Sequence, residues 1–413
     1  MHLAFLVILL SLFNAAGCST LVISPAPNPS FIKHECTKEK DRVRVSISVL
    51  TEEENREYFG RSLTSKGIQA VWLKVENHNP YSLWIMPSYV DPEYFSALEV
   101  AFLNHGFFSG PSNHSMDQVF EQYRISRRVP AGGTNSGFVF TNLSEGVKYV
   151  NVELWHDKGV IDVRFFLELP NGGFDYEAVD FERLYTPGHL KELNLAQLRR
   201  ELASVPCCTG NGRGLEADPV NVVLVGNDDD IFSALVHQGW DPTHSLSADS
   251  VRRTVTAFLW GRRYRYSPVS PLQLFDRQQD IAFQRTRGTI QQRNHIRLWL
   301  SPYTYRARPV WIGQISRDIG VRFSARAPFF VTHRIDPEVD EARDYLIEDL
   351  LASESLEALA YVRGVGAAPL QAPRENLTGD PYFTDGLRAV MFISAKPVSA
   401  DQVNVIRWET PSN

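Results

Sequence analysis

The sequence predicts an α+β protein built as two domains, and three observations carry that expectation. The chain has 413 residues, more than one ordinary hydrophobic core supports. Its first half alternates apolar and polar residues with a period of two, as half-buried strands do. Its second half mixes such runs with stretches of helical period. Hydrophobic residues make up 43% and charged residues 22%, the balance of a globular protein. A net charge of -6 leaves no footprint for nucleic acid, so any anion site must be local.

The N-terminus comes first in the chain. Residues 3–13 are almost purely apolar, and Ala15, Ala16, Gly17 and Cys18 follow. That is a signal peptide (1–17) with a small-residue cleavage site, too short for an ordinary membrane span. Cys18 after Ala-Ala-Gly resembles the bacterial lipoprotein processing site, where the thiol takes a lipid. Each buried methylene adds roughly 0.8 kcal/mol, so two or more acyl chains would hold the protein on a membrane. The resemblance implies a lipoprotein on the periplasmic side of the envelope, and Ser19, standing where Asp would signal inner-membrane retention, points to the outer membrane. Residues 18–36, with Pro25, Pro27 and Pro29, read as an extended tether. Cys36 could pair with Cys207 or Cys208. Alternatively those two are buried small hydrophobes, or a metal-binding pair.

Residues 37–185 read as a β-rich domain. Strands are expected at 42–50, 70–76, 82–86, 137–141, 148–155 and 160–169, with turn residues such as Asn79-Pro80 and Gly132-Gly133 between them. Two helices, at 94–102 and 115–123, interrupt the series, the first opened by Asp91-Pro92. The spacing suggests an immunoglobulin-like sandwich with a helical insertion. Residues 186–217 read as an amphipathic helical connector and a turn-rich linker.

Residues 218–396 form the second domain, with 397–413 as a tail. Strands are expected at 221–225, 281–285, 295–300, 310–316, 329–335, 359–362 and 389–393. The Asp228-Asp229-Asp230 run introduces one helix, better explained by its dipole than by a metal. Asp249 opens a second helix, and a third runs from Pro337 to about 351, capped by Asp336. Short connections between the middle strands imply a mixed, mostly antiparallel sheet with helices on it.

Candidate chemistry clusters in this second domain. Along 293–300, Ile296, Leu298 and Leu300 point one way, and His295, Arg297 and Trp299 the other. Trp gains most by being covered, so the polar set suits a sheltered hollow. In the third helix Arg343 projects from the apolar stripe of Val339, Ala342, Leu346, Ile347 and Leu350. A buried guanidinium needs partners. Asp340, one turn back, could be a structural pair for it, or Arg343 could hold an anion. His333 lies just before that helix start, and the two would make a phosphate or carboxylate cradle. Arg277 joins the candidate anion binders. Asp318, Asp336 and Asp385 flank strands, either as site carboxylates or as turn residues. No spacing matches a specific nucleophile or metal signature; if a divalent metal binds, His295 and His333 are its candidate ligands, in a set suited to zinc or manganese.

Taken in order, several blocks resemble the LssY-like C-terminal region family. They are Pro219–Gly226, Gly239-Trp240, Phe275–Asp280, Asn294–Trp299, Val310–Gly313, Thr332–Asp336 with Asp340 and Arg343, and Thr384-Asp385-Gly386. Asp276 departs from the pattern, which has Gly before Arg277. In some members the region is joined to membrane modules, including a lipid-phosphate phosphatase type, which implies envelope lipid or phosphate-ester chemistry.

Three functions are therefore expected in competition. The first is an envelope protein that binds an anionic molecule or partner without turning it over. The second is a hydrolase, metal-assisted or not, acting on a phosphate-containing lipid or related ester. There, His295 or His333 would move protons or hold metal, and Asp318, Asp336 or Asp385 would be ligand or base. Arg297 and Arg343 would stabilise charge. The third is a purely structural lipoprotein.

Overall fold

A computed structural model describes residues 29–106, 110–144, 147–169, 179–181, 183–210, 216–243, 269–286, 292–323, 331–377 and 379–411. The signal peptide, Cys18 and the helix expected from Asp249 lie outside the described residues. The chain divides into two compact units, Met1–Pro170 and Asn171–Asn413. The fold is α+β, with most strands paired antiparallel.

Among its described residues the first unit has eight strands: β1 (Cys36–Lys40), β2 (Val43–Val49), β3 (Ile68–Asn77), β4 (Leu83–Ile85), β5 (Arg128–Val129), β6 (Thr134–Asn142), β7 (Val147–His156) and β8 (Gly159–Glu168). They form two four-stranded sheets, ordered β1-β2-β3-β6 and β5-β4-β7-β8. Alternation puts Val45, Ile47, Leu73 and Val75 of the first sheet in one core with Val150, Val152, Ile161 and Val163 of the second. Helices α1 (Glu52–Phe59), α2 (Pro87–Val90), α3 (Ala97–Leu103) and α4 (Gly110–Tyr123) follow from the intervening segments. Phe59, Val100 and Phe120 from these helices join Phe138 and Phe140 in a second cluster on the first sheet.

Two boundaries differ from those the sequence suggests. The helix expected from Asp91-Pro92 starts at Ala97, because Ser96 and Glu99 form a capping box. Asp91 instead accepts the Asn142 backbone N–H at 2.7 Å and that of Glu93 at 2.9 Å. The tether ends early too: Ser30–His34 form a 3-10 turn that buries Phe31 among the aromatic residues of the first unit.

The second unit is built on a ten-stranded mixed sheet. Its labelled strands, with those of a smaller sheet, are β9 (Cys208–Gly210), β10 (Glu216–Pro219), β11 (Val222–Val225), β12 (Gln273–Leu274), β13 (Arg277–Gln278), β14 (Ile281–Thr286), β15 (Arg293–Tyr305), β16 (Arg308–Phe323), β17 (Val331–Ile335), β18 (Leu356–Arg363), β19 (Leu387–Ile393) and β20 (Asn404–Ile406). The large sheet runs β14-β15-β16-β11-β19-β18-β20, with β17 paired to the far end of β16. Pairing is antiparallel except where β11 meets β19, where β18 meets β20, and where the short segment Lys191–Glu192 lies beside Tyr303 and Thr304 of β15. The small sheet, β10-β9-β12-β13, is antiparallel.

Among the described residues of this unit are the helices α5 (Leu195–Ser204), α6 (Asp228–His237) and α7 (Val339–Ala352). The three acids Asp228, Asp229 and Asp230 occupy the first turn of α6, where they complement its dipole. Helix α7 begins at Val339 rather than Pro337, and Asp336 closes the preceding turn by accepting the Glu338 N–H at 3.1 Å. The expected connector is no linker: Leu198 and Leu202 of α5 are wholly buried in a core with Val223, Ile312, Val390 and Phe392. Within 397–413, β20 adds a parallel strand beside β18.

Candidate functional site

The polar face of the central hairpin is assembled by register. Strand β15 places Arg293, His295 and Arg297 on one face, and Gln284 of β14 stands opposite His295. On the other side, Gln314 of β16 stands opposite Arg297 and Ser316 opposite His295; Asp318 follows two residues on. All seven side chains are buried. Arg293 donates through Nε to Asp318 Oδ2 at 3.2 Å and through Nη1 to Gln284 Oε1 at 2.6 Å. His295 Nε2 lies 2.9 Å from Ser316 Oγ, and its Nδ1 lies 3.6 Å from Asp318 Oδ2. Arg297 donates to the Ser270 carbonyl at 3.0 Å and to Gln314 Oε1 at 2.6 Å.

That last bond fixes the Gln314 amide. Guanidinium has only donors, so the oxygen must face it and the NH2 must face away. Gln314 is wholly buried and its Nε2 has no hydrogen-bond partner. A buried donor left unsatisfied costs roughly 1–3 kcal/mol, and among the described residues this atom lacks the acceptor that its burial calls for. Asp218, at the end of the small sheet, adds a carboxyl that burial pushes upward and the charge of Arg297 pulls back only in part.

Arg343 does not join this face. Helix α7 packs where Phe283, Ile296 and Ile315 point, because Tyr345 of α7 lies against Arg285 and Arg317 of that same side. There Arg343 is almost fully buried and enclosed by acids. It donates to both carboxylate oxygens of Asp385, at 2.9 and 3.2 Å, to Asp344 at 2.9 Å, and lies 3.2 Å from Asp340. Burial alone would lower the guanidinium, but Asp385, Asp344 and Asp340 outweigh it and hold it above the usual arginine range. Asp340 also accepts the Asp385 N–H at 2.6 Å and the Thr384 hydroxyl at 2.8 Å. The Thr384-Asp385-Gly386 turn is thus a clamp from sheet to helix. Gly386 is needed in it: φ is +86°, and a Cβ would stand 2.4 Å from the Ala367 nitrogen.

Arg277 is likewise occupied. It makes a bidentate pair with Asp280, at 2.8 and 2.9 Å, and donates to the Leu300 carbonyl at 2.6 Å. The Asp276 departure has a backbone cause: Phe275 and Asp276 both have positive φ, 54° and 59°, in a two-residue hairpin between β12 and β13. Gly relieves that conformation and Asp tolerates it. His333 sits on β17 opposite Val321 of β16; the orientation of its side chain is outside the described residues. Among the described residues, no three metal-ligating groups converge at His295.

The structure therefore brings together His295, Arg297 and Asp318 of the expected residues, and separates from them Arg343, Asp385 and Arg277. Sequence reasoning missed Arg293, Gln284, Gln314 and Ser316. Their signal was present as a second alternating run, Gln314-Ile315-Ser316-Arg317-Asp318, whose polar residues match those of β15 once the hairpin register is known.

An α+β domain with a polar, donor-rich sheet face is the class that this geometry defines. Residues 200–387 match the family model LssY C-terminus, the family that the ordered blocks of this domain resemble. The match spans under half of the chain and lies within the second unit. No curated protein matches the chain.

Proposed function

We propose that the second unit binds an anionic oxygen group, a phosphate or carboxylate of an envelope molecule, at the β15–β16 face. The observation that carries this is the buried Gln314 Nε2, a donor without an acceptor, set beside Arg297 and one register step from His295. Such a donor set favours an anion's oxygens, and charge-assisted hydrogen bonds to guanidinium are the stronger kind. Inorganic phosphate and glycerol phosphate are the probes. At about 100-fold excess over Kd either should stabilise the protein by about 2.7 kcal/mol. Gln314→Leu should reduce that gain while the protein stays folded. A wild-type melting temperature indifferent to both probes, with Gln314→Leu more stable than wild type, would instead make this face a scaffold with one imperfect bond.

A second reading, ester hydrolysis, is favoured by the line Ser316–His295–Asp318. The contacts have the sense of a nucleophile, a base and an orienting carboxylate. Arg293 shares Asp318 and weakens its hold on the imidazole. In this reading the Ser316 oxygen attacks the ester carbonyl, His295 takes its proton and returns it to the leaving alcohol, and water then frees the acyl group. A fluorophosphonate probe should label wild type and not Ser316→Ala; absence of labelling leaves the binding reading alone.

The apolar run at 3–13 and the Ala-Ala-Gly-Cys sequence support an envelope lipoprotein anchored at Cys18. Cys18→Ser should move the protein from the membrane fraction to the soluble one, and unchanged fractionation would remove the anchor.

A further inference from the structure

Away from that face, strands β9 and β10 bring two thiols and a carboxylate together. Cys207 and Cys208 are adjacent in sequence, and Glu216 opens the facing strand. Their two sulfurs and one carboxylate oxygen all lie within 4.8 Å of one another. Cys36, Cys207 and Cys208 are free thiols. Cys36 opens the edge strand of the first unit, while its expected partners belong to the second.

A second observation points the same way. Arg388 is wholly buried, and its guanidinium donates to five backbone carbonyls: Val220 at 2.8 Å, Leu202 at 2.5 Å, Val205 at 2.8 Å, Pro206 at 2.6 Å and Gly364 at 3.1 Å. No carboxylate among the described residues pairs with it. The Pro206 carbonyl that it holds belongs to the residue just before Cys207. A buried cation of this kind calls for a neighbouring anion.

We propose that Cys207, Cys208 and Glu216 bind a thiophilic divalent metal ion of the zinc class. On binding, two metal–sulfur bonds form and two thiol protons leave to solvent, with no change of oxidation state. Two thiolates and one carboxylate on a divalent ion leave one net negative charge, which Arg388 faces. Zinc–sulfur bonds of about 2.3 Å in a tetrahedron set the sulfurs about 3.8 Å apart, compatible with the 4.8 Å within which the three ligand atoms lie. Tyr382, whose hydroxyl lies 4.0 Å from Cys208 Sγ, is placed to donate to that sulfur and hold its orientation. This site is independent of the anion site on β15 and β16.

Cobalt(II) is the probe, added to the reduced, metal-stripped full-length chain and then displaced by zinc. One equivalent should give a thiolate-to-cobalt charge-transfer band that zinc abolishes. The band should persist in Cys36→Ser and disappear in Cys208→Ser, or in the less buried Cys207→Ser if the former does not fold. Exposed Glu216→Ala should weaken cobalt binding about 10-fold or more, and Tyr382→Phe about 10-fold. No band in folded wild type, a band retained without either cysteine, or Glu216→Ala binding as tightly as wild type would each overturn the proposal.

Discussion

At the residue scale, Arg343 shows how a polar anomaly on an apolar stripe can be resolved by structure alone. Three carboxylates and a carbonyl meet its guanidinium, leaving it nothing to offer a ligand. Arg343→Ala would strand Asp385 and Asp340 in a buried site, and should cost about 3–5 kcal/mol in urea unfolding. A loss below about 1 kcal/mol would mean the clamp is dispensable. Asp218 makes the opposite case. Its folded-state pKa is raised by burial, so its contribution is complete at low pH and is lost as pH rises through the folded value. Asp218→Asn should therefore raise the melting temperature at pH 7, with the advantage shrinking toward pH 4. An advantage that grew on acidification would contradict the sign of that shift.

At the scale of elements, local chemistry was readable where it is self-contained. The alternation of β2, β3, β7, β8, β15 and β16 located those strands, because a half-buried strand writes its period into the sequence. Helix starts were less secure. Asp91-Pro92 has the right residues for a helix start, but Asp91 is engaged by Asn142, fifty-one residues away, and the capping box begins at Ser96. Helix α1 carries the same signature in Thr51 and Glu54, legible in principle and overlooked in a polar stretch. Asn194 and Gln197 make a third box on α5. Asn194→Ala should cost about 1 kcal/mol by denaturant titration, and a neutral result would show that burial of Leu198 and Leu202 alone holds that helix. The candidate site was legible only in part: β15 announces its polar face, but the partners of that face depend on hairpin register, which no single strand contains.

At the scale of the whole molecule, the chain divides into two units, each with buried clusters of its own. Composition cannot say whether a segment between strands is a spacer or a layer of the fold, since both are amphipathic or polar. Burial decides it. Leu202 and Val205 fall in one cluster with Val362 and Phe392, and Ile406 and Trp408 near the end of the chain pack against it, so both segments adjoin a single interior.

The sheet order also bears on how this domain can be excised. Strand β19, which begins at Leu387, lies between β11 and β18, and β20 lies beyond β18. A fragment trimmed to 200–387 would start midway through α5 and stop at the first residue of β19. It would tear the sheet at its middle and bare two unpaired edges, the circumstance in which strands recruit copies of themselves. Such a fragment should be recovered as aggregate, whereas one running from 186 to 411 keeps both edges closed and should stay in solution.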